Sequence, residues 1–175
     1  MIGAGGSGGH VFPALETAKS LKRQGHKVVF LTTKGLAFDL IRKSGFEAWI
    51  IDPPRIKLAS LLSAFQEELG MINAIGDAYA LVGNLSPGVV VGFGGYGAFP
   101  VVAAAILRRV PTLIHEQNVV PSRSNRVLSR FVKRIAISFD KSRSYFSSGK
   151  VILTGCPCKD SVPQKSKAEI YKDFG

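Results

Sequence analysis

Short apolar, β-branched runs alternate with segments of helical pattern along most of this 175-residue chain. This alternation is typical of parallel strands joined by crossover helices. Strands are predicted at Lys27–Thr33, Glu47–Asp52, Val89–Gly94, Thr112–Glu116, Arg134–Phe139 and Val151–Thr154. Helices are predicted at Phe12–Arg23, Ala37–Lys43, Leu58–Val82, Ala98–Arg109 and Ser124–Phe131. The pattern therefore predicts an α/β fold.

Several predicted strands are apolar at consecutive positions, as in VVFLTT and VVVGFG. Strands with this pattern are covered by helices on both faces. We therefore predict a Rossmann-like, doubly wound parallel sheet, in which ligands bind beyond the carboxyl ends of the strands. Only Met1–Ala4 precede the first glycine run, so we expect a short first strand near the middle of the sheet.

The chain is strongly basic, with 23 Lys and Arg against 12 Asp and Glu and a formal charge of +11. This charge would attract nucleic acid, anionic headgroups or a diphosphate. Because no nucleic-acid-binding motif is visible, no nucleic-acid partner is expected. No apolar run is long enough for a membrane span and no secretory signal is visible, so a cytosolic location with reduced Cys156 and Cys158 is expected.

The first glycine-rich stretch, Gly3–His10, lies directly before a predicted helix. Glycines allow close backbone approach to a ligand, and the free N–H groups of a helix start attract anions. The stretch is therefore interpreted as a phosphate-binding loop, the alternative being a tight strand-to-helix turn. His10 either donates to a phosphate, acts as general base on a sugar hydroxyl, or only caps and packs.

A second glycine-rich stretch, Gly92–Pro100, also follows an apolar strand and opens a helix. Two such loops at one sheet edge leave room for a diphosphate, with Gly94 and Gly95 as candidate contacts. Tyr96 either stacks on a ligand or fills the loop as a half-buried side chain.

Polar residues follow the predicted strand TLIHE in a third stretch, His115–Arg126. Polar side chains at the carboxyl end of a buried strand are hard to explain by packing, so this stretch is interpreted as part of a site. Glu116, Asn118 and Asn125 are candidates for holding sugar hydroxyls, and each of them has solvation as its alternative. Arg123 or Arg126 faces either an anion or solvent.

The predicted helix at 58–82 carries two apolar stripes. One contains Phe65, Leu69 and Ile72, with Ile75 at its margin. The other contains Met71, Ala74, Ala78 and Leu81. One stripe can pack on the sheet while the other enters a lipid surface, with Phe65, Leu69, Ile72 and Ile75 as the candidate membrane contacts. The alternative is that both stripes are core.

The motifs GGSGGH, GFGGYGAFP, HEQN with a following proline, and TGCPCK occur in this order along almost the whole chain. In this order they resemble the amino-terminal half of the MurG family, the undecaprenyldiphospho-muramoylpentapeptide β-N-acetylglucosaminyltransferases. The resemblance implies the acceptor domain of an inverting GT-B enzyme that transfers N-acetylglucosamine from UDP-N-acetylglucosamine to lipid I, giving lipid II. It also implies a peripheral location at the cytoplasmic face of the plasma membrane, and no metal or other cofactor.

Carried over by motif, Ser7, Gly8, Gly9 and Asn118 would contact the donor, with His10 as the candidate base. Lys159 stands where the family usually has arginine, so a diphosphate contact there would lack the planar fork of a guanidinium.

The expected organisation is an acceptor domain at 1–155 and a linker at 156–175 that leads to a missing donor domain. We expect the chain to be inactive alone. One alternative is a non-catalytic remnant that binds a lipid diphosphate or a membrane surface, and another is a basic nucleotide-binding module.

Overall fold

The computed structural model describes residues 1–54 and 61–158, with the backbone only for 61–67 and 148. The strands of its sheet are β1 (Ile2–Ala4), β2 (Val29–Thr32), β3 (Glu47–Ile50), β4 (Val90–Gly92), β5 (Thr112–Glu116), β6 (Arg134–Ile137) and β7 (Val151–Leu153). The α-helices are α1 (Gly8–Arg23), α2 (Leu36–Lys43), α3 (Leu61–Leu85), α4 (Ala98–Leu107) and α5 (Arg123–Leu128). Two 3-10 turns, at Asp140–Tyr145 and Ser148–Lys150, precede β7.

The seven strands form one parallel sheet in the order β3-β2-β1-β4-β5-β6-β7. Strand β1 is short, as predicted, and lies between β2 and β4, where Gly3 pairs with Leu31 on one side and Gly92 on the other. Because every pair is parallel, the loops that follow β1, β4 and β5 all leave from the same edge of the sheet. The prediction of a Rossmann-like α/β fold is confirmed.

Each face of the sheet has its own apolar core. The core under α1 and α2 contains Ile2, Val11, Ala14, Phe30 and Ile41. The core under α3, α4 and α5 contains Leu31, Ala78, Val82, Val101 and Leu128. All four residues of β2 are buried, which explains why this strand is apolar at consecutive positions.

Helix α1 begins at Gly8, four residues before the predicted start at Phe12. The carbonyl oxygen of Ser7 accepts hydrogen bonds from the N–H groups of His10 and Val11, so the last glycines of the loop form the first helical turn. Pro13 is therefore the sixth helical residue and lies just beyond the first turn. Gly25 lies just past the helix end with a φ of +85°, the left-handed conformation that glycine commonly adopts there.

The two stripes of α3 have different surroundings. Ala74 and Ala78 are buried in the core, whereas Leu69 is 46% exposed and Ile72 is 63% exposed. Ile75, at the margin, is half-buried. The Phe65 side chain lies outside the described residues. Within the described ranges, no helix combines the length and the apolar character that a bilayer span requires.

Candidate functional site

The two glycine-rich loops are in direct contact at the carboxyl edge of the sheet. The N–H of Gly5 donates to the carbonyl oxygen of Gly94 at 3.1 Å, and the N–H of Phe93 donates to that of Gly3 at 2.8 Å. A Cβ on Gly5 would lie 2.8 Å from the Cα of Gly95, closer than real Cβ contacts allow. The loops therefore meet backbone to backbone, which explains the glycine at this position.

The second loop turns at Gly94 and Gly95, whose φ angles are +77° and +73°. L-residues with a side chain rarely adopt this left-handed region. A Cβ on Gly95 would also lie 3.0 Å from His10 Nδ1. Glycine is therefore favoured at these positions for two reasons: the turn needs a positive φ, and a side chain would crowd the imidazole of His10. Tyr96, the next residue, is half-buried.

His10 lies where the two loops meet. Its Nδ1 is 2.6 Å from the Ser7 hydroxyl oxygen, and its Nε2 would lie 3.4 Å from a Cβ on Gly94. Desolvation by burial lowers the pKa of His10 from its ordinary value of 6.5, and the negative charge of Glu116 opposes this shift. The imidazole is therefore neutral near pH 7, as a general base must be.

Glu116 is the last residue of β5, and its side chain holds the third segment, residues 115–126, in place through hydrogen bonds. Its side chain is 1% exposed. Its oxygens accept hydrogen bonds from the backbone N–H groups of Asn118 and Ser122, at 3.0 and 3.1 Å, and from the side-chain amide of Asn125 at 2.8 Å. The prediction that Glu116 holds a sugar hydroxyl is therefore revised, because its carboxylate is buried and already bound by protein donors.

Asn125 is also buried, at 1% exposure, and its amide nitrogen donates to the backbone oxygen of His115 as well as to Glu116. A Cβ on Gly94 would lie 3.2 Å from this nitrogen. Asn125 thus connects the third segment to the second loop. Its side-chain carbonyl oxygen is also buried and has no hydrogen-bond partner among the described residues. The contact of Asn125 with a sugar hydroxyl stays a prediction.

Two side chains that the sequence interpretation did not select, the buried His115 and the half-buried Gln117, support the same edge. His115 Nε2 lies 3.1 Å from the carbonyl oxygen of Gly155, and its Nδ1 lies 3.1 Å from the Gln117 amide nitrogen. That nitrogen also donates to the carbonyl oxygen of Phe93 at 3.0 Å. Local sequence gives no signal for these contacts, because Phe93 and Gly155 are distant from both residues in sequence.

The structure brings Ser7, His10, Gly94, Gly95 and Asn125 together at one edge. Gly9 is exposed, Gly8 is half-buried, and Asn118 is exposed at the start of the third segment. Arg126 packs over the ring of Tyr145, at 4.8 Å from its centroid. Lys159 lies outside the described residues.

The stability of the fold should fall as the pH decreases from 8 to 5. Burial lowers the pKa of both His10 and His115, so the unfolded chain binds more protons than the folded chain below pH 6.5. Urea unfolding measured across this range should show the loss, and the variants His10→Gln and His115→Gln should each show a weaker pH dependence. The exposed His26 provides the matched control His26→Gln. A pH dependence that survives both His10→Gln and His115→Gln would contradict this assignment.

Comparison with known proteins identifies a family model that matches residues 1–137, the glycosyltransferase family 28 N-terminal domain. The chain is also similar to a UDP-N-acetylglucosamine–N-acetylmuramyl-(pentapeptide) pyrophosphoryl-undecaprenol N-acetylglucosamine transferase of Thermoanaerobacter pseudethanolicus, with 36% identity over 100% of this chain and 49% of that protein. A transferase of the same name from Pediococcus pentosaceus is 38% identical over 94% of this chain and 46% of its own length.

Among solved structures, the MurG of Acinetobacter baumannii is similar to this chain, with a TM-score of 0.76 and 35% identity over 94% of this chain and 46% of that chain. The resemblance inferred from the motifs is thereby confirmed. A UDP-GlcNAc 2-epimerase from Neisseria meningitidis, at 17% identity and a TM-score of 0.61 over 89% of this chain and 45% of that chain, shares the fold alone. The chain spans about half the length of the relatives it matches.

Proposed function

Since this chain belongs to the glycosyltransferase family whose model it matches, the family 28 N-terminal domain, we propose that it forms the acceptor-binding half of an N-acetylglucosaminyltransferase. The donor is UDP-N-acetylglucosamine and the acceptor is lipid I, whose glycosylation gives lipid II. The names of the Thermoanaerobacter and Pediococcus relatives support these substrates. A second, carboxyl-terminal domain supplies most of the donor site.

The observation that carries this proposal is the convergence of the three polar segments around His10. The backbone groups of the two glycine loops meet at Gly5 and Gly94, and the start of α1 offers its N–H groups to an anion at the same place. A diphosphate held there would place its attached sugar beside the imidazole. The chain charge of +11 favours an anionic ligand further.

His10 acts as the general base in this proposal. Its neutral Nε2 takes the proton from the acceptor hydroxyl while the hydroxyl oxygen attacks the anomeric carbon of N-acetylglucosamine from the face opposite UDP. UDP leaves with the bonding electron pair, and the configuration at the anomeric carbon inverts. Burial of His10 supports this role, because it lowers the pKa and keeps the ring unprotonated near neutral pH.

A transfer assay tests the proposed function. Residues 1–155 are fused to the carboxyl-terminal half of the Thermoanaerobacter pseudethanolicus relative, and transfer of radiolabelled N-acetylglucosamine from UDP to a soluble lipid I analogue is measured. The chimera should produce lipid II analogue, and the 175-residue chain alone should not. A folded chimera without transfer would favour the non-catalytic alternative, and transfer by the chain alone would contradict the two-domain proposal.

The exposed stripe of α3 is the proposed contact with the anionic membrane surface, at the cytoplasmic face where lipid I is reached. The side chains of Leu69 and Ile72 on this helix are exposed to solvent. Arg108 packs over the ring of Tyr79, at 3.8 Å from its centroid, and so brings a positive charge beside the same helix. Apolar side chains flanked by cations are typical of helices that bind anionic bilayers from one side.

Replacing both Leu69 and Ile72 by serine should reduce the affinity for phosphatidylglycerol vesicles, measured by cosedimentation, by about 100-fold or more. Each buried apolar side chain contributes roughly 1.5–3 kcal/mol to transfer out of water, and the fold should persist because neither residue is in the core. The control is Leu36→Ser on α2, where Leu36 is as exposed as Ile72 but lies on another helix. Vesicle binding that is unaffected by the double substitution would refute the proposed contact.

A further inference from the structure

The Ser7 hydroxyl has an unusual partner. Ser7 is the N-cap of α1, where a serine side chain normally accepts a hydrogen bond from an N–H of the first turn. Among the described residues it makes no such bond. Its oxygen lies instead 2.6 Å from His10 Nδ1, and the Ser7 side chain is exposed. The hydroxyl therefore faces the imidazole on one side and the open edge of the sheet on the other.

A hydrogen bond between a hydroxyl and a neutral imidazole has two forms, because each group carries one proton. In the first form the Ser7 O–H donates to Nδ1, and the ring proton is on Nε2. In the second form Nδ1–H donates to the Ser7 oxygen, and Nε2 has a free lone pair. Only the second form leaves the hydroxyl proton available to another acceptor and Nε2 available as a base.

We propose that Ser7 is a positioning residue through which a bound anionic oxygen selects the second form. The anion accepts a hydrogen bond from the Ser7 hydroxyl, so the 2.6 Å contact persists only when Nδ1 carries a proton and donates it to the Ser7 oxygen. The ring then exchanges its Nε2 proton for one on Nδ1 through solvent, with no net gain or loss of protons. The inference rests on the proposed function, in which a phosphate oxygen of the substrate reaches this loop.

The surroundings of His10 suit this coupling. The Nε2 edge of the ring lies beside Gly94, where a Cβ would come within 3.4 Å of Nε2. The Nδ1 edge faces Ser7 and Gly95. Binding of the diphosphate at the Nδ1 side of the ring thus frees the Nε2 lone pair to act as the base. Without the diphosphate, this form is not selected.

Nitrogen-15 spectra of the full chain, labelled at histidine, test the coupling. The protein has three histidines, so His26→Gln and His115→Gln assign the His10 signals. At pH 8 the ring is neutral, and titration with inorganic pyrophosphate should move the Nδ1 and Nε2 shifts in opposite directions, toward a proton on Nδ1. Ser7→Ala should abolish this movement and Ser7→Thr should retain it. The matched control, Ser20→Ala on the same helix, should behave as the unmodified chain.

Two results would overturn the inference separately from the proposed function. If pyrophosphate shifts the backbone amides of Gly8 and Gly9 but leaves the His10 ring unchanged, the anion site stands and the coupling is wrong. If Ser7→Ala shows the same ring response as the unmodified chain, the proton on Nδ1 is not selected through Ser7. A titration without any amide shift in this loop would contradict both the coupling and the anion site.

Discussion

Glu116→Ala should destabilise the chain by about 3–5 kcal/mol, because it leaves two backbone N–H groups and the Asn125 amide without their buried acceptor. The midpoint of thermal unfolding should fall by roughly 10 °C for a domain of this size. The Gly94 turn, which Asn125 contacts, should loosen as well. Urea unfolding followed by circular dichroism measures the change.

Two further substitutions separate the effect of the network from the loss of a charge. Glu116→Gln keeps one acceptor oxygen but faces the same donors with an amide, so its cost should be smaller, about 2 kcal/mol. Glu68→Ala removes an exposed carboxylate from α3 and should change the free energy of unfolding by less than about 0.5 kcal/mol. If Glu116→Ala were as stable as Glu68→Ala, the hydrogen bonds to the Glu116 carboxylate would not hold the third segment in place.

In the chimera with a donor domain, His10→Ala should lower kcat by about 10²-fold or more, the range expected for loss of a general base. KM for UDP-N-acetylglucosamine should change little, because the substitution removes an interaction that forms in the transition state. The acidic limb of the pH–rate profile should disappear with it. This limb should lie below pH 6.5, since burial lowers the pKa of His10.

The conservative variant His10→Gln serves as the control for packing. The glutamine side chain fills the space beside Gly95 and can form hydrogen bonds, but it cannot take up a proton near neutral pH. Both variants should therefore lose activity while unfolding at a temperature close to that of the parent chimera. If His10→Gln retained the full rate, His10 would be a structural residue and the base would have to be another group.

The sheet could be predicted from the sequence because two independent signals indicate its strands: their apolar composition and the turns that follow them. Consecutive apolar residues in β2 reflect helices on both faces, and the short β1 lies in the sheet interior as expected. The start of α1 was misplaced because glycine has low helix propensity, whereas backbone hydrogen bonds to Ser7 hold Gly8 and Gly9 in the first turn.

The candidate site could be predicted at the level of segments but not of individual contacts. Polar residues after β5 indicate a functional edge, yet sequence alone does not show which side chains face a ligand and which support the loop. Glu116 is a supporting residue because four protein groups donate to it. His115 and Gln117 join parts of the chain that are distant in sequence, including Phe93 and Gly155, and such contacts have no local signal.

The central claim is that both glycine loops and the segment after β5 form one surface for a diphosphate-linked sugar. Backbone amide shifts of the 175-residue chain, titrated with a soluble lipid I analogue, test it most directly. The shifts should concentrate in three places at the same ligand concentration, namely residues 5–10, 94–96 and 117–118. Shifts confined to one of these segments, or found instead at the amino ends of the strands around Val89, would contradict it.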